Sequence, residues 1–264
     1  MMNENRIRTL LKDDKPTMGT RIVSTWPIMV EAVGASHNFD YIEFVAEYAP
    51  FTDADLENLV RAAELHAMSS MIKIDFQNRF YVAQRALAAG FQAIMFTDHK
   101  TADEVRASLN AIRADTPQDG GRFGKPSRRL IGFQMNISQL DYAELLRNTV
   151  VCMMIEKQQA MENLDEICSI DGVDMVQFGP SDYAMNNGWN AKEHTQEIQD
   201  AEKRMIEIAL KRGVHVRCEI NSAQEAVPYM KLGVKHFCLG DELRNNMIYW
   251  NTVGKELKKE VERL

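Results

Sequence analysis

Long apolar runs are missing from this chain. No stretch of its 264 residues approaches the roughly 18 apolar positions of a membrane span. The opening "MMNENRIRTLLKDDKP" also lacks the apolar core of a signal peptide. Excess positive charge is absent too. The net charge is −7 with Lys and Arg scattered, which argues against a nucleic-acid partner and requires local basic groups for any small anionic substrate. Cysteine is sparse: Cys152, Cys168, Cys218 and Cys238, none in a C-x-x-C pair and three inside apolar runs ("VVCMMI", "HVRCEI", "KHFCLG"). That pattern argues against a disulfide framework or a thiolate metal site and fits buried, reduced thiols in a cytoplasmic protein. There is no internal repeat and no Gly/Ser/Pro linker, so one domain over 1–264 is expected.

What is present is alternation. Short apolar runs, "RIVSTW" (21–26), "YIEFVA" (41–46), "SMIKI" (70–74), "AIMFTD" (93–98), "VVCMMIE" (150–156), "DMVQFG" (174–179), "HVRCEI" (215–220) and "KHFCLG" (235–240), read as eight strands. Between them lie helical patterns with start and stop signals. "TDADLENLVRAAELHA" begins at Thr52/Asp53, and "TADEVRASLNAIRAD" carries a Thr101-x-x-Glu104 capping box. Other helices stop at Gly90, Gly213 and Gly233. Eight strand–helix units at this length predict an α/β fold, a (β/α)8 TIM barrel. Residues 1–18 read as an N-terminal extension or helix and 241–264 as a C-terminal helix, solvated or bound to a partner. The stretch 116–140, rich in Gly, Pro and Arg, reads as an elaborated loop with a small extra strand at "RLIGFQM".

In such a barrel the residues that follow each strand converge on one face. The stretch "VDMVQFGPSDY" ends a buried strand at Gly179-Pro180 and puts Asp182 on that rim. Glu47, Tyr48, Lys73, Asp75, Asp98, His99, Glu156, Lys157, Glu219 and Asp241 are its other candidates. Carboxylates crowded at one mouth repel unless cations intervene, and an oxygen-lined site suits Mg²⁺ or Mn²⁺ better than zinc.

The stretch "MMIEKQQAMENLDEICSIDGVDMVQFGPSDYAMNNG" resembles the HpcH/HpaI aldolase family of metal-dependent pyruvate aldolases, through a strand-end Glu followed by a "GP-D" turn. "NFDYIEFVAEYAPFTDADLENLVRAAE", "ALAAGFQAIMFTDHKTADEVR" and "TPQDGGRFG" extend the resemblance over most of the chain. The resemblance implies a TIM barrel, usually a homohexamer with an exchanged C-terminal helix. It also implies a divalent ion, Mg²⁺ or Mn²⁺, on Glu156 and Asp182, with the backbone amides of Ser181 and Asp182 receiving a 2-oxo-acid carboxylate. Where the family carries a His after the strand-two Glu, backed by an Asp, this chain has Tyr48 and Val45; where it carries an Arg at the end of strand three, this chain has Lys73.

These departures leave Lys73 to steady an oxyanion, with Tyr48, Glu47 or His99 as candidates for proton transfer. A Schiff-base role for Lys73 is disfavoured, because the metal pair already supplies the electron sink. The leading expectation is a metal-dependent aldolase joining or splitting a small 2-oxo acid and an aldehyde. A related lyase, hydrolase or tautomerase on a 2-oxo acid, and a non-catalytic 2-oxo-acid-binding relative, are the alternatives.

Overall fold

The short apolar runs pair side by side into a closed parallel barrel, ordered β1 to β8, in a computed structural model that describes residues 4–264. The strands are β1 (Thr17–Ile22), β2 (Tyr41–Val45), β3 (Ser69–Ile74), β4 (Ala93–Phe96), β5 (Val150–Ile155), β6 (Met175–Phe178), β7 (His215–Ile220) and β8 (His236–Asp241). Helix α1 (Arg6–Lys12) precedes them. Around the barrel follow α2 (Pro27–Ala35), α3 (Asp53–Glu64), α4 (Arg79–Ala89), α5 (Ala102–Ile112), α6 (Gln139–Arg147), α7 (Gln158–Glu162), α8 (Leu164–Ile167), α9 (Pro180–Asn186), α10 (Thr195–Lys211) and α11 (Ala223–Lys231). The chain closes with α12 (Glu242–Tyr249), a wider turn over Trp250–Gly254, and α13 (Lys255–Val261).

The predicted helix signals hold. Thr52 and Thr101 both form reciprocal capping boxes, with Asp55 and Glu104. Gly90 ends α4 in the left-handed conformation, φ 110°. Two expectations need correction. The first strand runs from Thr17, not from Arg21, so it begins inside the segment read as an extension. It leaves the ladder at Val23, because the amides of Val23 and Ser24 donate to the Glu242 carboxylate instead. "RLIGFQM" forms no strand. It is a single tight turn, Arg129–Ile131, broken by left-handed backbone at Gly132 and Phe133, with Arg128 and Arg129 tied to Glu57 and Glu64.

Strand register determines what fills the barrel. With the shear of about eight residues usual for this architecture, residues two positions apart in register on alternate strands lie at one height. The pairings place Arg21, Lys73, Met154 and Glu219 in the uppermost layer built wholly from strand residues. Beneath it lie Glu43, Met95, Gln177 and Cys238, then Gly19, Met71, Cys152 and Arg217. Gly19 is required there: a Cβ would meet the Tyr41 ring at 2.5 Å. At the bottom, Ile7 and Leu11 of α1 pack onto Tyr41, Met71, Ala93 and Met175 and close that end.

Two charges are carried in this interior. Arg217 and Glu43 are both fully buried and paired, and Arg217 also donates to Tyr41 Oη at 2.7 Å and to the Gln177 side-chain oxygen. A buried ion pair of this kind persists only when most remaining donors find acceptors.

Candidate active site

The mouth at the C-terminal ends of the strands gathers most of the predicted site residues. Glu156, the residue after β5, is 1% exposed. Its Oε1 accepts the Asp98 amide at 2.8 Å, and its Oε2 is buried with no hydrogen-bond partner. Burial pushes this carboxyl up to about 7, with the Asp98 amide and Lys73 opposing the shift. The space beside it is kept by Gly179: a Cβ there would lie 2.8 Å from Glu156 Cβ and 2.9 Å from Oε2. Asp182 follows in the first turn of α9, where Pro180 starts the helix and the next amides have no helical acceptor. The charges of both Glu156 and Asp182 act on Lys157, so the two carboxylates border the same ammonium group.

Asp98, read from sequence only as a rim acid, turns out to organise this corner. Its backbone takes φ 63°, which aims its amide at Glu156 while its carboxylate holds Lys157 at 2.6 Å. Asp and Asn tolerate that conformation better than other side chains.

On the neighbouring wall Lys73 is 7% exposed and pairs with Glu47 at 2.6 Å. Burial works against its charge, but Glu47, with Glu43 and Glu156 beyond, holds its pKa above the ordinary lysine value. Tyr48 stands over this pair, with the Lys73 ammonium 5.4 Å from its ring centre. The Tyr48 hydroxyl is pushed up to about 12 by desolvation, with Glu47 and Asp182 adding to the shift and Lys73 opposing it. It is therefore a neutral hydroxyl at physiological pH. A cavity of about 550 Å³ opens here, lined by Glu47, Asp75, Phe76, Asp98, Lys157 and Asn186 among others.

His99 is not brought into this group. Its ring is 1% exposed behind β4, where Nε2 lies 2.6 Å from Arg79 Nη1 and 2.8 Å from Ser108 Oγ. Arginine can only donate, so Nε2 is an acceptor and the ring is neutral. Burial, then Arg79, lowers its pKa to about 3.

The far wall adds Arg21 and Gln177 to the rim candidates Glu219 and Asp241. Arg21 of β1 holds Glu219 at 2.7 Å and Asp241 at 3.2 Å, and Gln177 donates to Glu219 at 2.8 Å. Arg21 stands first in the predicted run 21–26, and its inward direction follows only from register with β2 and β8.

Among the described residues no set of three or more His, Cys, Asp and Glu side chains is arranged to enclose a metal ion. A two-carboxylate site with oxygen ligands left to water or substrate is the arrangement that Mg²⁺ accepts. The buried, unpartnered oxygen of Glu156 and the gap kept by Gly179 fit such an ion.

Comparison with known proteins agrees with the geometry. Residues 23–236 match the HpcH/HpaI aldolase/citrate lyase family. A 2-keto-3-deoxy-L-rhamnonate aldolase of Escherichia coli O6:K15:H31 (strain 536 / UPEC) is 26% identical over 212 residues, covering 79% of this chain and 74% of that protein. A hydroxypyruvate/pyruvate aldolase of Paraburkholderia phytofirmans (strain DSM 17436 / LMG 22146 / PsJN) is 24% identical over 213 residues, covering 80% and 81%. The barrel superposes on the crystal structure of an HpcH/HpaI aldolase from Desulfitobacterium hafniense DCB-2 with a TM-score of 0.86, at 20% identity and 97% coverage of both chains. This chain belongs to the HpcH/HpaI aldolase/citrate lyase family.

Proposed function

We propose that this protein is a divalent-metal-dependent carbon–carbon lyase that cleaves or forms 4-hydroxy-2-oxo acids. The observation that carries the reading is Glu156, a buried carboxylate with one oxygen left without a partner beside a glycine-kept space. The names of the aldolase relatives support the same reaction class. Glu156 and Asp182 would hold Mg²⁺ or Mn²⁺, which supplies Lewis-acid stabilisation for negative charge developing on a keto oxygen.

The protein's own groups do the rest. The free first-turn amides of Ser181 and Asp182 receive the substrate carboxylate. Lys73, fixed and kept charged by Glu47, sits on the barrel floor where it opposes the growing oxyanion. Its charge, held by Glu47, also works against Schiff-base chemistry, which needs the free amine. In the cleavage direction Glu47 takes the proton of the 4-hydroxyl as the C3–C4 bond breaks and the aldehyde leaves. Tyr48 gives its proton to C3, and Glu47 returns one to Tyr48, so the protons balance.

Retro-aldol assay of 4-hydroxy-2-oxo acids with added Mg²⁺ or Mn²⁺, detecting pyruvate, tests the proposal. Absence of turnover across chain lengths with metal demonstrably bound rejects it.

The assembly is part of the same reading. Leu243, Met247, Ile248, Trp250, Val253 and Leu257 are all exposed along α12, the turn and α13, an apolar stripe that one copy leaves uncovered. The segment 241–264 is read as docking onto another copy in a homo-oligomer, a hexamer by family resemblance. A chain ending at Gly240 that sediments with the same mass ratio as the full chain contradicts it.

A further inference from the structure

The mouth is more acidic than a 2-oxo acid and an ion require. Glu47, Asp75 and Asp98 line the cavity with Lys100 and Lys157. Glu156, Asp182, Glu219 and Asp241 lie at the same strand ends with Arg21 and Lys73, and most of these cations are already committed. Lys73 is held by Glu47, Lys157 by Asp98, and Arg21 by both Glu219 and Asp241. Glu242 adds another carboxylate behind the β1 loop, bonded to the amides of Val23 and Ser24. A divalent ion and a 2-oxo-acid anion together contribute one net positive charge, which leaves the remainder negative.

The far side of the floor is built to accept hydrogen bonds. Glu219 shares the floor layer with Lys73, and its two oxygens each take a single donor, Gln177 Nε2 on Oε1 and Arg21 Nη1 on Oε2. Each oxygen keeps a further lone pair, and the side chain is 33% exposed to the mouth. A fixed carboxylate with spare acceptor capacity recognises hydroxyl groups and repels anions.

We infer that the aldehyde partner of this site is neutral and hydroxylated, not a carboxylated or phosphorylated aldehyde, and that Glu219, presented by Arg21 and Gln177, reads its hydroxyl. The inference rests on the aldolase reading and adds the acceptor class to it. Arg21 and Gln177 act as positioning residues through Glu219.

The test is an acceptor panel in the synthesis direction, with pyruvate and Mg²⁺ or Mn²⁺, comparing glyceraldehyde, propanal, succinic semialdehyde and glyceraldehyde 3-phosphate by kcat/KM. Glyceraldehyde ranks first and the anionic aldehydes last. In Glu219→Gln the preference for glyceraldehyde over propanal falls on the order of tenfold, the scale of one lost specific hydrogen bond. A second reading needs no variant: added salt lowers KM for succinic semialdehyde and leaves that for glyceraldehyde in place, because screening weakens only the charge repulsion. Deuterium exchange into the pyruvate methyl group monitors enolisation separately. Exchange together with a preference for anionic aldehydes, or an unchanged glyceraldehyde-to-propanal ratio in Glu219→Gln, overturns the inference alone. No exchange and no turnover with any acceptor overturns the aldolase reading and the inference with it.

Discussion

The two ends of the barrel treat charge in opposite ways. At the N-terminal end charges stand in opposite pairs: Arg8 with Asp174 at 2.6 Å, Arg6 with Asp40 at 2.7 Å, Lys235 with Asp14 at 2.6 Å, beneath an apolar plug of Ile7 and Leu11. Even the fully buried Glu43 has Arg217. At the C-terminal end Glu156 is nearly as buried as Glu43, and each keeps one buried oxygen without a donor. The other oxygen of Glu43 is ion-paired with Arg217, whereas the other oxygen of Glu156 accepts only the neutral Asp98 amide. An uncompensated buried carboxylate costs stability, a cost expected where, as proposed, a ligand supplies the missing charge. The matched end holds the fold, and the mismatched end is where the proposed chemistry would lie.

Replacing Glu156 tests the contrast most severely. Glu156→Gln lowers metal-dependent turnover on the order of 10³-fold, by loss of an ion ligand at the reacting oxygen. The metal-free variant melts at or above the wild-type temperature, by about 2–4 °C for each kcal/mol of relieved desolvation in a chain of this size. Scanning calorimetry with and without Mg²⁺ reads both effects. A variant that loses stability as well as activity breaks the comparison, since Glu156 would then be a structural partner.

The equivalent change below has the opposite signature. Arg217→Met leaves Glu43 buried without its cation and destabilises the protein by about 3–5 kcal/mol, while Arg217→Met with Glu43→Leu recovers most of that loss. Urea titration measures it. Equal damage in the single and double variants would show that the pair contributes little through charge.

The smallest effect is a pH dependence shared by both ends. His99, behind the mouth, and His236, near the base, are each lowered by burial from 6.5 to about 3. Both are neutral in the folded chain and gain protons more readily when unfolded. Their contribution is therefore complete above about pH 6.5 and declines as pH falls from there towards 3. In His236→Asn the melting temperature falls less steeply between pH 6.5 and 4; an unchanged slope removes His236 from the account.

Much of this was legible from residue order. Seven strands were placed to within two residues, because a strand buried on both faces reads as a continuous apolar run. The first strand was misplaced because its inward positions are Gly19 and Arg21, residues that carry no apolar signal. The Lys73–Glu47 pair joins two strands and was not legible, whereas the Thr101-x-x-Glu104 capping box was visible, since it depends on local spacing. His99 was read as a rim residue for the same reason, adjacency to a strand end, and only packing shows its ring turned towards Ser108 and Arg79.

The order of amino acids determined by itself the alternation of strand and helix, and hence a barrel with acids at one mouth. Those properties follow from periodicity and capping, which act over a few residues. Tertiary structure alone decided that Asp98 takes a left-handed turn to serve Glu156, that one Glu156 oxygen is left bare, and that Arg21 and Glu219 share the floor with Lys73. These facts depend on closure of the barrel, because shear sets which distant strands meet at one height, and no local pattern in the chain encodes that height.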